Sequence, residues 1–336
     1  MPRGTPQRNM WLALGVTLAG LVAMGTVALY PRAASPRAAA SRAGTTASAR
    51  ATMPLVAAWE TAAPSPTRSP YITPTPTETQ APLATLPPTP SPTETPPPLP
   101  LPTPDGQART ARVPILMYHY VGELPADADS VRLDLTVPPD RFEAQLAYLQ
   151  TSGYTSVTLE ELILYLTIGR PLPEKPVILT FDDGYVDNFV YAFPLLRRYG
   201  FTGTFFVVVQ FMDEGRAGYI TWEQARLMQE NGMDIQSHGV SHEDLAGAPA
   251  SFVAEQVSAS RRRIEEELGK PVRFFAYPYG SYDRRTIAAL LAAEYWGAVT
   301  TRGGALHSSG RLFELTRVRV HGYHELDRFV ATLDYY

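Results

Sequence analysis

The sequence predicts an α/β fold: a distorted (β/α) barrel of about seven parallel strands, preceded by an N-terminal membrane segment and a disordered Pro/Thr-rich linker. Three observations lead there. Within residues 113–336, short apolar runs alternate with amphipathic segments at helical spacing, the pattern of strands joined by right-handed crossovers. Composition changes near residue 112: of 32 prolines, 21 precede that point and 11 follow it, while net charge passes from +5 to −9. Finally, Trp11–Tyr30 carries no charge and as a helix would be about 30 Å long, the thickness of a bilayer core.

The N-terminal run follows Arg3 and Arg8, as in the basic region of an export signal. It reads either as a retained signal anchor or as a signal peptide cleaved after Ala38-Ala39-Ala40. Cleaved signals usually have an apolar region of ~7–15 residues, so the length points to an anchor. Residues 1–30 are then a cytoplasmic stub and anchor, with the remainder outside the cell membrane; cleavage would make the protein secreted. Residues 31–112 hold 19 prolines and 15 threonines. Such a stretch cannot bury enough apolar surface to offset its ordering entropy, and it reads as an extended spacer.

Residues 113–336 read as the folded domain. Val113–His119 is expected as a buried strand. Asp140–Gln150 places Phe142, Leu146 and Leu149 on one helical face. Thr158 and Glu161 form the signature of a capping box before a Leu/Ile-rich helix. Val177–Phe181 is a strand, followed by a helix that stops near Gly200. Gly203–Val209 is β-prone, and Thr221 with Gln224 caps a helix ending at Asn231-Gly232. Met233–Ser237, Phe274–Tyr277, Gly297–Thr300 and Arg317–Val320 supply further strands. Helices over 252–268, 283–293 and 324–333 complete the alternation.

The chain has no cysteine, which excludes a disulfide scaffold, thiolate-bound zinc, iron–sulfur clusters and a thiol nucleophile. The acidic domain lacks the basic footprint of a nucleic-acid binder. No obligate protein partner is implied.

Barrels of this type carry function at the C-terminal ends of their strands, and that rule selects few residues. Val177–Phe181 ends in Asp182-Asp183-Gly184. Asp-Gly is also ordinary turn chemistry, but adjacent buried carboxylates need a cation or a proton. Met233–Ser237 ends in His238-Gly239-Val240-Ser241-His242, whose imidazoles can converge on one cation or simply pack locally. Together the two strand ends suggest a two-histidine, one-carboxylate metal site, with a second carboxylate free to accept a proton. Phe274–Gly280 runs into a Pro-Tyr-Gly turn where a backbone N–H could stabilise an oxyanion. His119 ends the first strand at the same barrel end and is a candidate general acid.

These residues resemble the polysaccharide deacetylases of carbohydrate esterase family 4, also called NodB-homology domains. Thr180–Gly184 (TFDDG) is similar to that family's first motif and Ser237–His242 (SHGVSH) to its histidine motif. Flanking segments Tyr185–Val209 and Ile220–His242 are similar as well, so the likeness covers 113–336 and none of 1–112. The resemblance implies that Asp182 is the catalytic base and that Asp183, His238 and His242 bind a divalent metal, usually Zn2+. It also implies that Tyr279 lends its backbone N–H to the oxyanion. The reaction implied is removal of N-acetyl groups from an amino-sugar polysaccharide such as peptidoglycan, poly-N-acetylglucosamine or a chitin-like polymer.

Two positions depart from the family pattern. Ala276 stands where many members carry an arginine that supports the catalytic aspartate, and no nearby arginine replaces it. The late Leu-x-His motif is also unclear, with His321 and His324 in unfamiliar context. Both departures resemble the circularly permuted branch that includes poly-N-acetylglucosamine deacetylases. There the N-terminal strand ending in Tyr-His does the late motif's work, which makes His119 the general acid and His321 the second choice. An O-acetyl polysaccharide esterase would use the same apparatus. A non-catalytic glycan-binding module would have lost Asp182, Asp183 or a histidine, and none is lost.

Overall fold

The computed structural model describes residues 100–336. The expected anchor and most of the linker lie outside the described residues. Among the described residues, no helix is long and apolar enough to cross a membrane.

Seven parallel strands close into a barrel: β1 (Ile115–Tyr118), β2 (Pro176–Phe181), β3 (Thr204–Val207), β4 (Asp234–Ser237), β5 (Phe274–Ala276), β6 (Gly297–Gly303) and β7 (Leu315–Arg319). Strands β2 to β6 neighbour one another in chain order, and β7 and then β1 return the sheet to β2. The closing pair aligns Tyr118 with Phe181, which places the chain leaving β1 beside the chain leaving β2. Parallel strands buried on both faces read as continuous apolar runs, as β2 (PVILTF) does with every residue buried. Along one side of the barrel, Tyr118, Phe181 and Phe205 stack in series at 5.2 and 4.6 Å, with Phe142 edge-on to Tyr118. The Tyr118 hydroxyl donates to buried Gln145 at 2.9 Å, so this aromatic layer carries no stranded polar group.

The helices begin where local chemistry directs. Both expected capping boxes form, Thr158 with Glu161 and Thr221 with Gln224. The helix after β2 starts as a π-turn, Asn188–Ala192, and becomes α-helical over Phe193–Tyr199 before Gly200 ends it in the left-handed region. Pro194 has no N–H to donate, which removes one regular helical bond at that junction.

Besides shifts of one to three residues at several element ends, two differences from the sequence reading change how the chain is held. The strand expected over Gly203–Val209 stops at Val207, and Val209–Asp213 turns into a short helix. There the Val209 and Gln210 N–H groups donate to the carbonyls of Gly239 and Val240, so the chain crosses the barrel mouth and braces the histidine loop. Secondly, residues read as linker take part in the folded unit. Thr110–Arg112 pairs antiparallel with Leu306–Ser308, and Arg109 grips Asp105 through two hydrogen bonds.

Candidate active site

The residues singled out at the strand ends converge at the C-terminal mouth of the barrel. Asp182 and Asp183 follow β2, and the Asp182 N–H donates to the Tyr118 carbonyl of β1 at 3.0 Å. His238 leaves β4, and its N–H bonds back to Val207 of β3. Asp183 Oδ1 lies 3.2 Å from His238 Nε2 and 3.1 Å from His242 Nε2. The three candidate ligand atoms all lie within 4.8 Å of one another.

The chemistry of this cluster fits a divalent cation. His238 Nδ1 is 2.7 Å from the Ala276 carbonyl. A carbonyl only accepts, so Nδ1 carries a proton and Nε2 is the ring nitrogen turned toward Asp183. An imidazole nitrogen and a carboxylate oxygen at that distance need a proton or a cation between them. Asp183 Oδ1 is buried with no hydrogen-bond donor of its own. Burial pushes the Asp183 carboxyl up, but the two imidazoles outweigh it and hold the group well below the usual carboxylate range.

Asp182 is held differently. Arg317, fully buried on β7, donates to Asp182 Oδ1 and Oδ2 in two bonds of 2.7 Å each. The same guanidinium donates to the Thr180 hydroxyl and the Thr300 carbonyl, so it is anchored at both ends. Burial raises the Asp182 carboxyl, and the Arg317 charge and hydrogen bonds more than reverse that, leaving it ionised. Here sequence reasoning missed a functional residue. The arginine absent at position 276 is supplied from the last strand, LTRVR, which holds two arginines with nothing local to mark which of them faces inward.

His119 stands beside the carboxylate pair, its Nε2 3.9 Å from Asp182 Oδ2. Burial lowers its pKa, with Asp182 and Asp183 opposing, and the net direction is down, so the ring is neutral at pH 7. The buried amide of Asn188 fixes the backbone there by donating to the His119 carbonyl. His321, the second candidate, is instead paired with Asp134 at 2.6 Å. The Tyr279 ring meets His242 edge-on at 4.7 Å, and its backbone is left-handed with φ 58°. Gly280 must follow it, because a Cβ there would fall 2.0 Å from the Thr301 hydroxyl.

Among the described residues, four that are not glycine have positive φ: Asp183, His242, Tyr279 and Glu294. Three of these belong to this site. Such backbone costs of order 1 kcal/mol or more at each residue and persists where the surroundings impose it.

Comparison with known proteins identifies the family. The family described as polysaccharide deacetylase matches residues 169–297. YxkH of Bacillus subtilis (strain 168), whose name places it among the polysaccharide deacetylases, is 33% identical over 212 residues, 63% of this chain and 72% of YxkH. The chain belongs to the polysaccharide deacetylase family. The poly-beta-1,6-N-acetyl-D-glucosamine N-deacetylase of Escherichia coli (strain K12) is 28% identical over 240 residues, 59% of this chain; the match spans 36% of that longer protein. Among solved structures, the Streptococcus pyogenes deacetylase PplD in complex with acetate superposes with a TM-score of 0.63 at 29% identity, covering 67% of this chain and 99% of that one. The closed seven-strand barrel is thus the scaffold of a deacetylase domain.

Proposed function

We propose that this deacetylase is a metal-dependent hydrolase that removes N-acetyl groups from an amino-sugar polysaccharide of the poly-N-acetylglucosamine kind, outside the cytoplasmic membrane. The observation that carries the reading is the side-by-side placement of two carboxylates with opposite fittings. Asp183 faces two imidazoles, whereas Asp182 is clamped by an arginine and has His119 within reach. One carboxylate is equipped to hold a cation and the other to move a proton.

In this reading Asp183, His238 and His242 hold the metal, with zinc the expected ion for an imidazole-rich set. When bound, the metal supplies Lewis-acid polarisation of the acetyl carbonyl. The chain's own residues do the rest. Ionised Asp182 takes a proton from the attacking water as the new C–O bond forms. The Tyr279 N–H donates to the oxyanion of the tetrahedral adduct. His119, neutral at rest and with its Nε2 3.9 Å from Asp182, takes over the proton that Asp182 has gained and passes it to the sugar nitrogen as the C–N bond breaks, so acetate and a free amine depart. The location is supported by the uncharged run Trp11–Tyr30 and the proline-rich stretch after it. The substrate class is supported by the Escherichia coli relative.

The test is acetate release by the full chain, with and without chelator, from poly-N-acetylglucosamine, chitooligomers, peptidoglycan and acetylated xylan. Release from the amino-sugar polymers that stops with chelator and returns with zinc is expected. Release from xylan alone would make the protein an O-acetyl esterase, and release from none would sink the hydrolytic reading.

A further inference from the structure

The helix Ala250–Leu268 packs on the barrel through a buried stripe at helical spacing: Val253, Gln256, Val257, Ser260, Ile264 and Leu268. Two members of that stripe are polar, and a buried polar side chain needs partners. Both find them in the loop that joins the two histidines. Gln256 Oε1 accepts from the Val240 N–H at 3.0 Å and from the Ser241 N–H at 3.1 Å. Gln256 Nε2 donates to the Ser241 hydroxyl at 3.0 Å. The amide therefore sits only one way round, because its NH2 end could not accept from the loop. Ser260 completes the set. The Gly239 N–H donates to Ser237 Oγ, that hydroxyl donates to Ser260 Oγ, and Ser260 donates to the Gln256 carbonyl. Three successive N–H groups of the loop thus end on one turn of this helix.

The two histidines differ in what orients them. His238 is fixed by its own N–H to Val207 and by its Nδ1 on the Ala276 carbonyl. Among the described residues, the His242 ring has no such carbonyl; it meets Asp183 and the Tyr279 ring. Its backbone is left-handed, with φ 59°, a conformation that the surroundings must impose on a histidine. The two residues just before it, Val240 and Ser241, are the ones whose N–H groups Gln256 holds.

We propose that Gln256 is a positioning residue for the metal, holding the loop so that His242 keeps its left-handed backbone and its Nε2 beside Asp183. Gln256 bonds to none of Asp183, His238 and His242, and acts through Val240 and Ser241. The proposal rests on the reading of those three residues as the metal's ligands and extends it to a side chain on a separate helix. Released from Gln256, the loop relaxes at His242 and withdraws one donor of three, while His238 stays in place.

Zinc affinity of the metal-free full chain, read by competition with a chromogenic chelator, tests this. Gln256→Leu removes the acceptor and should weaken zinc by about 10–100-fold, the usual effect of losing a partner that orients a ligand. Gln256→Glu offers a carboxylate oxygen to the same two N–H groups and should restore most of that affinity. Gln229→Leu controls for stability alone. Gln229 is also buried, and its amide donates to the Leu268 carbonyl at the far end of the same helix. Its loss should cost stability and leave zinc affinity as in the wild type. Hydrogen exchange of the metal-free protein gives a second readout: the Val240 and Ser241 amides should exchange faster in Gln256→Leu and slowly again in Gln256→Glu. Should Gln256→Leu not fold, Gln256→Asn replaces it; its amide is one methylene short of the loop and should weaken zinc in the same direction. Wild-type zinc affinity in Gln256→Leu or Gln256→Asn overturns the proposal, and so does an equal loss in Gln229→Leu. A wild type that binds no zinc would instead remove the metal reading, and this proposal with it.

Discussion

Arg317 holds Asp182 from two strands away, reaching past β1 to place one nitrogen on each carboxylate oxygen at 2.7 Å. The pair is wholly buried, so its parts cannot be exchanged for water. Removing the arginine alone leaves a charge without a partner, at a typical cost of about 3–5 kcal/mol. Arg317→Gln should therefore destabilise the fold by roughly that amount. It should also raise the Asp182 pKa, because the guanidinium is what outweighs burial there. A base must be ionised to work, so the acid limb of the kcat/KM profile should move to higher pH. Arg317→Lys, a point charge without the planar fork, should recover part of the stability and less of the activity. An acid limb unmoved in Arg317→Gln would show that Asp182 is not the titrating base.

The two carboxylates predict different losses. Asp183→Ala or His238→Ala should abolish bound metal, measured by elemental analysis after dialysis, because each removes one of three donor atoms. Asp182→Asn should retain the metal and lose turnover, since the amide keeps the volume but cannot take a proton. Acetate release at the wild-type rate from Asp182→Asn would overturn the division of labour.

His119→Ala should keep the metal and slow kcat by about 10² or more, the usual size of a general-acid contribution. The deficit should shrink for substrates whose leaving group needs no protonation, such as an activated aryl acetate. His321→Ala should leave that pattern intact, because its imidazole is paired with Asp134. Should His321→Ala show the leaving-group dependence instead, the acid is His321.

Features set by near neighbours were legible in the sequence, and features set by closure of the barrel were not. Thr158 and Thr221 announce their helices because a cap and its partner are three residues apart. The strand ends carrying Asp182, Asp183, His238 and His119 follow from apolar runs that stop. Arg317 was opaque because it lies 135 residues from its partner, and nothing local says that a strand arginine faces inward. The left-handed backbone at Asp183, His242 and Tyr279 was equally hidden, since Tyr and His do not advertise it as glycine does. Thr110–Arg112 reads as linker because its three residues become a strand only against Leu306–Ser308.

Asp187 makes the last prediction, and its sign runs opposite to the usual aspartate. Burial raises its carboxyl from 3.8 to about 7, only partly opposed by Arg132. The unfolded chain releases this proton near pH 4, whereas the folded chain keeps it until about 7. Between those values the folded state binds the extra proton, so raising the pH through the window lowers stability, and above it the loss is complete. Asn is neutral throughout and close in shape to a protonated Asp. Asp187→Asn should therefore match the wild type near pH 4 and exceed it at pH 8 by a few kcal/mol, up to about 4 for a shift of that size. Urea unfolding at the two pH values measures the difference directly. A gain of equal size at both would mean that packing, not ionisation, is responsible.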